Sequence, residues 1–206
     1  MLDIKDFSKE YFRQVHENLA AIDLEKLQKI IEVIFEAYKN DKQIFIFGNG
    51  GSSSNASHFA CDLGKGTLNN VYDKKEKRFR AISLTDNVAT IMAFGNDLSF
   101  EDVFSEQLRN LINKGDVAVG MSCSGNSPNV VKAIAYAKER GATTIGFLGF
   151  KTGGKLRDMV DYEITVPDNH YGRVEDIHLM LCHFVTNSLA LLKQQNEQDN
   201  YPKKEI

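Results

Sequence analysis

Apolar positions along the chain follow two rhythms. Up to residue 39 they recur every three or four residues, so residues 4–21 and 23–39 read as two amphipathic helices. In the second, Leu24, Leu27, Ile30, Ile31, Ile34 and Phe35 form one stripe, and Asp23 is placed to cap the first turn. That stripe is expected to be core, part of it a subunit contact. From residue 43 short continuous apolar runs alternate with helix-like stretches. Gln43–Phe47, Phe79–Ser83, Asp116–Met121, Thr143–Leu148 and Tyr162–Val166 read as strands. Helices are expected over Ser52–Gly66, Asn87–Phe94, Phe100–Ile112, Pro128–Arg140, Gly154–Met159 and Gly172–Gln194. Ser99 with Asp102 should cap the third of these, Ser127 with Pro128 should open the fourth, and Gly141 should end it.

Five apolar strands alternating with helices predict an α/β fold: a five-stranded, doubly wound parallel sheet sandwiched by helices and preceded by two N-terminal helices. One domain over residues 1–206 is expected, with residues 1–40 as a helical extension and 195–206 as a flexible polar tail. In such sheets ligands lie at the carboxyl ends of the strands. Two loops rich in Gly, Ser and Asn fall there. The first is Gly48-Asn49-Gly50-Gly51-Ser52-Ser53-Ser54-Asn55, the second Ser122-Cys123-Ser124-Gly125-Asn126-Ser127. Either loop alone is an ordinary turn, since Gly and Asn tolerate positive φ. Two of them, each between a strand and a helix, make an anion pocket of backbone N–H groups and small hydroxyls. Neither carries a GxGxxG pattern or a Gly-Lys-Ser/Thr end, so no nucleotide cofactor is expected.

Charge and cysteine content narrow the picture further. A formal net charge of −3 gives no electrostatic reason to expect nucleic acid. No apolar run approaches a membrane span, and residues 1–20 are too charged for a secretory leader. The basic cluster of Lys74, Lys75, Lys77, Arg78 and Arg80 is interleaved with Asp73 and Glu76 and reads as a solvated loop. Cys61, Cys123 and Cys182 show no pairing pattern. Reduced thiols in a cytoplasmic protein are the simplest account.

Four side chains are candidates for chemistry. His58 and Asp62 are one helical turn apart on the helix that the first loop opens. They can form half of a metal site, a histidine oriented by a carboxylate, or a plain surface pair. Glu175 and His183 lie two turns apart on the last helix, where His183 falls in an apolar run and also suits a core position. His178 shares that helix but points away from His183. Cys123 is the one cysteine inside a loop, and no signature supports a Cys–His nucleophile.

The ordered set Gly48-Asn49-Gly50-Gly51-Ser52, His58-Phe59-Ala60, Gly95-Asn96-Asp97, Ser122-x-Ser124-Gly125-Asn126-Ser127 and Glu175-Asp176-Ile177-His178…His183 resembles the phosphoheptose isomerase family, within the sugar isomerase (SIS) domain superfamily. The likeness runs to about Leu192. It implies a homotetramer with active sites at subunit interfaces. It also implies conversion of sedoheptulose 7-phosphate to D-glycero-D-manno-heptose 7-phosphate for surface glycans. By this resemblance Asp62 is the base and His183 the acid, with Glu175 a further catalytic candidate. One zinc ion per subunit would be held by His58, Asp62, Glu175 and His183. The substrate and its phosphate would meet Asn49, Gly50, Gly51, Ser52, Lys65, Asn96, Asp97, Ser122, Cys123, Ser124, Asn126, Ser127 and Glu175.

The chain also departs from that family. Asp62 stands for a usual Glu, Glu175 for Gln, Gly172 for Asp and Gly66 for Arg, with Lys65 adjacent to supply the charge. Cys123 replaces a hydroxyl residue. These departures bear on the substrate more than on the reaction type, and two carboxylates with two imidazoles suit a divalent ion. The rival readings are an isomerase for another sugar phosphate, a non-catalytic interaction protein, and a sugar-phosphate-binding regulatory module.

Overall fold

The computed structural model describes residues 3–200, with side chains through residue 196; residues 201–206 of the expected tail lie outside the described residues. Helix α1 spans Ile4–Ala20 and α2 spans Leu24–Lys39. The Asp23 carboxylate accepts from the Glu25 and Lys26 N–H groups, satisfying donors the first turn of α2 leaves open. Then follow β1 (Gln43–Gly48), α3 (Gly51–Cys61), β2 (Arg80–Ser83), α4 (Val88–Asp97), α5 (Ser105–Leu111), β3 (Val117–Ser122), α6 (Pro128–Glu139), β4 (Thr143–Leu148), β5 (Tyr162–Thr165) and α7 (Tyr171–Asn200). The five strands form one parallel sheet in the order β2-β1-β3-β4-β5.

That order places the switch in winding direction between β1 and β3, so their carboxyl ends diverge to leave a crevice. The register pairs Gly48 of β1 with Met121 of β3, and the two Gly/Ser loops leave the sheet side by side. Strand alternation divides the core. Ile44, Ile46, Val117, Val119 and Met121 pack against α2, α3 and α7. Phe45, Phe47 and Ala118 pack against α5 and α6 on the other face.

Several expected helices differ. The segment read as one helix over Ser52–Gly66 is α-helical only to Cys61; Asp62–Gly66 widens into a π-turn. Gly64 and Gly66 weaken the α-helix there, and the Thr67 hydroxyl donates to the Leu63 carbonyl at 2.8 Å. The helix expected from Phe100 begins at Ser105. Ser99 Oγ donates to Asp102 at 2.6 Å, and Asp102 also pairs with Lys132, so its carboxylate is not free to cap a helix. The segment Lys155–Asp158 is a 3₁₀ turn, and α7 runs past Gln194 to Asn200.

Buried His178 and Asp168, together with the more exposed Asp161, tie stability to pH. Burial pushes the His178 imidazole down to about 4, its bond to the Leu148 carbonyl opposing this only in part. Burial would raise Asp161 and Asp168, yet Lys138 with Thr144, and Arg173 with the His170 N–H, hold them below the carboxylate range. All three pKa values lie lower in the folded state, so the unfolded chain binds more protons in acid and stability falls with pH. The melting temperature should be level above about pH 6.5, fall between about 6.5 and 4 as His178 resists charging, and fall further as Asp161 and Asp168 protonate. A melting series by circular dichroism checks this, and a flat profile down to pH 5 would contradict the role given to His178.

Candidate active site

The loop after β1 runs straight into α3, whose first turn closes on the Gly50 carbonyl: it accepts from the Ser53 N–H at 3.0 Å and from Ser53 Oγ at 2.7 Å. The loop after β3 is held similarly. Ser122 Oγ accepts from the Gly125 N–H at 3.1 Å and lies 3.2 Å from Ser127 Oγ. Ser127 occupies the N-cap position of α6, but its hydroxyl turns to Ser122 rather than to a helix N–H. Asn126 braces the rim, donating to the Ser124 carbonyl and accepting from the Lys155 N–H. The first loop is joined to the first turn of α6, just beyond the second loop, by a reciprocal amide pair: Asn49 Nδ2 donates to Asn129 Oδ1 at 2.8 Å, and Asn129 Nδ2 donates back to Asn49 Oδ1 at 2.9 Å.

Between the loops lies a cavity of about 100 Å³. Asn49, Ser52, Ser122, Ser124 and Ser127 give it amide and hydroxyl walls; Met121, Cys123, Tyr171 and Glu175 complete it. No cationic side chain is among these residues. Attraction for an anion therefore comes from neutral hydroxyl and amide donors, the Ser52 N–H at the start of α3 being already bonded to Glu175. Cys123 contributes a neutral thiol, because burial pushes its pKa up to about 11. The Glu175 carboxyl is raised by burial and by the neighbouring Asp176, a bond from the Ser52 N–H opposing the shift. It lies directly over the start of α3: a Cβ on Gly51 would fall 2.2 Å from Glu175 Oε2, so any larger residue there would displace the carboxylate.

Further along α3 is a second group. His58 Nε2 lies 2.8 Å from His183 Nε2 and 3.2 Å from Asp62 Oδ2, and His183 Nε2 lies 3.7 Å from the same oxygen. These three residues are the group that could hold a metal ion among the described residues. Donors around a tetrahedral metal at about 2.0–2.1 Å are roughly 3.3 Å apart, and the three separations bracket that value. A three-donor set also leaves a fourth position open, as catalytic metal sites require. Glu175 is not part of this group; its carboxylate belongs to the cavity between the loops.

The structure thus gathers the expected residues into two places and leaves some outside both. Lys65 is exposed on the π-turn. Asn96 and Asp97 bond to each other at 2.9 Å at the exposed end of α4. His178 is buried against Leu148 and takes no part. Sequence reasoning missed Asn129 and Tyr171. Asn129 sits inside an otherwise regular helix, and a polar residue in its first turn reads as solvent-facing. Tyr171 precedes the helix expected from Gly172; its ring meets Phe150 edge-on at 4.7 Å between centroids.

Comparison with known proteins now separates the class from the branch. A family model for the SIS domain matches residues 10–149. The phosphoheptose isomerase of Nitratiruptor sp. is 41% identical over 154 residues, 74% of this chain and 79% of that protein. That of Clostridium acetobutylicum is 39% identical over 163 residues, 79% of this chain and 80% of that protein. The solved phosphoheptose isomerase of Neisseria gonorrhoeae superposes with a TM-score of 0.80 at 32% identity, covering 90% of this chain and 96% of that one. The fold and the paired loops are those of a SIS domain, and within the SIS domains the chain belongs to the phosphoheptose isomerase family.

The metal group is open to a direct check. Metal-free protein titrated with Co²⁺ should develop visible absorption at about one ion per chain, and His183→Ala should weaken binding by roughly 100-fold or more. Unchanged affinity in that variant would remove His183 from the group.

Proposed function

We propose that the chain is an aldose–ketose isomerase that interconverts sedoheptulose 7-phosphate and D-glycero-D-manno-heptose 7-phosphate, supplying heptose for surface glycans. One observation carries the reading beyond the family: the anion cavity and the His58–Asp62–His183 group share α3 at a set spacing. Ser52 and His58 are six residues apart, about 9 Å of helix rise. From C2 of an extended heptose 7-phosphate to its phosphorus is seven bonds, roughly 9 Å at standard bond lengths. A phosphate in the cavity therefore presents C1 and C2 to the second group.

In this reading Ser52, Ser122, Ser124 and Ser127 hold the phosphate, and Asn49 keeps the loops at the right separation. Anchoring the far end makes the proton transfers intramolecular in effect. Asp62 removes the proton from the carbon beside the carbonyl. Both imidazole contacts of its carboxylate are made by Oδ2, so Oδ1 remains for that proton. His183 passes protons between the two oxygens of the enediolate when no ion occupies its Nε2. Zinc is the ion we assign to His58, Asp62 and His183; when bound it supplies positive charge beside the developing oxyanion. Glu175, held at the start of α3, stands in the wall of the cavity beside the phosphate end of the substrate.

The assembly we infer is a homotetramer in the cytoplasm. Supporting it, α4 has no buried residue yet exposes Val88 and Met92, and Leu24, Met180 and Phe184 line an apolar groove between α2 and α7. Among the described residues no helix is long and apolar enough to cross a membrane. Size-exclusion chromatography with light scattering should give about four times the 23.2 kDa chain mass. A monomer at micromolar concentration would contradict the assembly.

The reaction is tested with sedoheptulose 7-phosphate in deuterated water, followed by NMR. The expected product is an aldoheptose 7-phosphate carrying deuterium at C2. Asp62→Asn should lower turnover by about 10³-fold with an unchanged melting profile. Turnover near wild type in that variant would remove Asp62 as the base, and no conversion by the wild type would point to a different sugar phosphate.

A further inference from the structure

Lys193 is fully buried, a rare state for a lysine, and no step above uses it. It lies on α7, eighteen residues or about five turns beyond Glu175, and so on the same side of the helix. Its ammonium forms an ion pair with Glu76, whose side chain is only 5% exposed. It donates to the Thr67 carbonyl at 3.3 Å and lies 5.9 Å from the centre of the Tyr38 ring. Glu76 is equally committed. Its Oε1 accepts from the Asn69 N–H at 2.7 Å and its Oε2 from the Asn70 N–H at 3.0 Å. Burial opposes ionisation of this carboxyl, yet Lys193 and the two N–H groups hold its pKa below the usual range.

Thr67 is the residue that terminates the Asp62–Gly66 π-turn. The ammonium therefore grips the chain immediately after the turn whose first residue is Asp62. The same helix presents His183 to Asp62 ten residues earlier. Between the two contacts the π-turn lies close against α7: a Cβ on Gly66 would fall 3.3 Å from Thr186 Cγ2. A π-turn has weak internal support, so its position depends on what holds its far end.

We propose that Lys193, through its pairing with Glu76 and its bond to the Thr67 carbonyl, is a positioning residue that sets Asp62 against His183. This rests on the reading of Asp62 and His183 as the proton-transfer pair. A buried ion pair adds little net stability over a well-packed apolar pair. Its directional bonds to a carbonyl and two N–H groups fix a register that apolar contact would leave loose. The phosphate cavity lies at the opposite end of α3 and does not depend on it.

The test uses the full-length protein in three forms: wild type, Lys193→Met, and the double variant Lys193→Met/Glu76→Gln. The single variant strands a buried carboxylate and is expected to lose stability. The double variant removes both charges at similar volume and is expected to fold. In both, kcat for sedoheptulose 7-phosphate should fall about 10- to 100-fold, because a small displacement of a reacting group costs that much. KM should stay within about twofold, since the phosphate site is untouched. Amide hydrogen exchange at residues 63–70 should quicken at least about tenfold in the double variant, with β1 and β3 unchanged. A double variant with wild-type kcat and wild-type exchange at 63–70 would reduce the pair to a structural contact and overturn the proposal. If the wild type fails to turn over sedoheptulose 7-phosphate, the assigned reaction falls, and the exchange measurement alone decides whether Lys193 holds the turn.

Discussion

The packing of α3 against α7 is the contact on which the site depends, because the two helices run side by side in the same direction and meet repeatedly. Gly51 accommodates the Glu175 carboxylate, Asn55 Nδ2 donates to the Glu175 carbonyl at 2.9 Å, and His58 meets His183. Gly51, Asn55, His58 and Asp62 are spaced by four, three and four residues, the spacing of a single helix face. One face of α3 thus carries a glycine beneath the Glu175 carboxylate, an amide that fastens the neighbour, and then His58 and Asp62. The stripe is mostly polar, and it adds directional bonds to the apolar packing of Ala56 and Phe59 with Ile177, Leu181 and Val185.

The sheet decides where that helix pair points. Parallel order with β1 beside β3 puts both Gly/Ser loops at one opening, and the α3 dipole is then aimed into it. An anion held mainly by neutral donors is bound by geometry rather than by net charge. That suits a metabolite that must be released after each turnover.

Much of this was legible in the chain because it rests on local rules. Strand positions follow from apolar runs buried on both faces, as at Ile44–Phe47, and the loops announce themselves through Gly and Asn. Asp23 and Gly141 mark helix ends by well-understood chemistry. The features that escaped depend on distant partners. Helical spacing gives no warning of the π-turn at Asp62: Gly64 and Gly66 weaken the helix there, but where the chain then goes depends on distant contacts such as that of Lys193 with the Thr67 carbonyl. Glu175 and His183 share a helix, but which loop each one meets is decided by how α3 lies along α7. Asn129 looks like any polar residue in a first turn until β1 and β3 bring Asn49 opposite to it. Family likeness supplied roles that spacing alone left open at His58 and Asp62.

The amide pair between the two loops has a chemical consequence of another kind. Asn49 is followed by Gly50, the sequence in which an asparagine side chain is most readily attacked by the next backbone nitrogen and lost as ammonia. Such residues set the lifetime of proteins kept warm. Here the reacting amide is held at both ends by Asn129, which keeps it out of the geometry that ring closure needs. Were it to convert, an aspartate would stand at the mouth of a cavity shaped for an anion and would repel the ligand while the fold stayed intact. The bond that fixes the two loops is therefore also what protects the site from ageing, and old protein would fail in capture before it failed in folding.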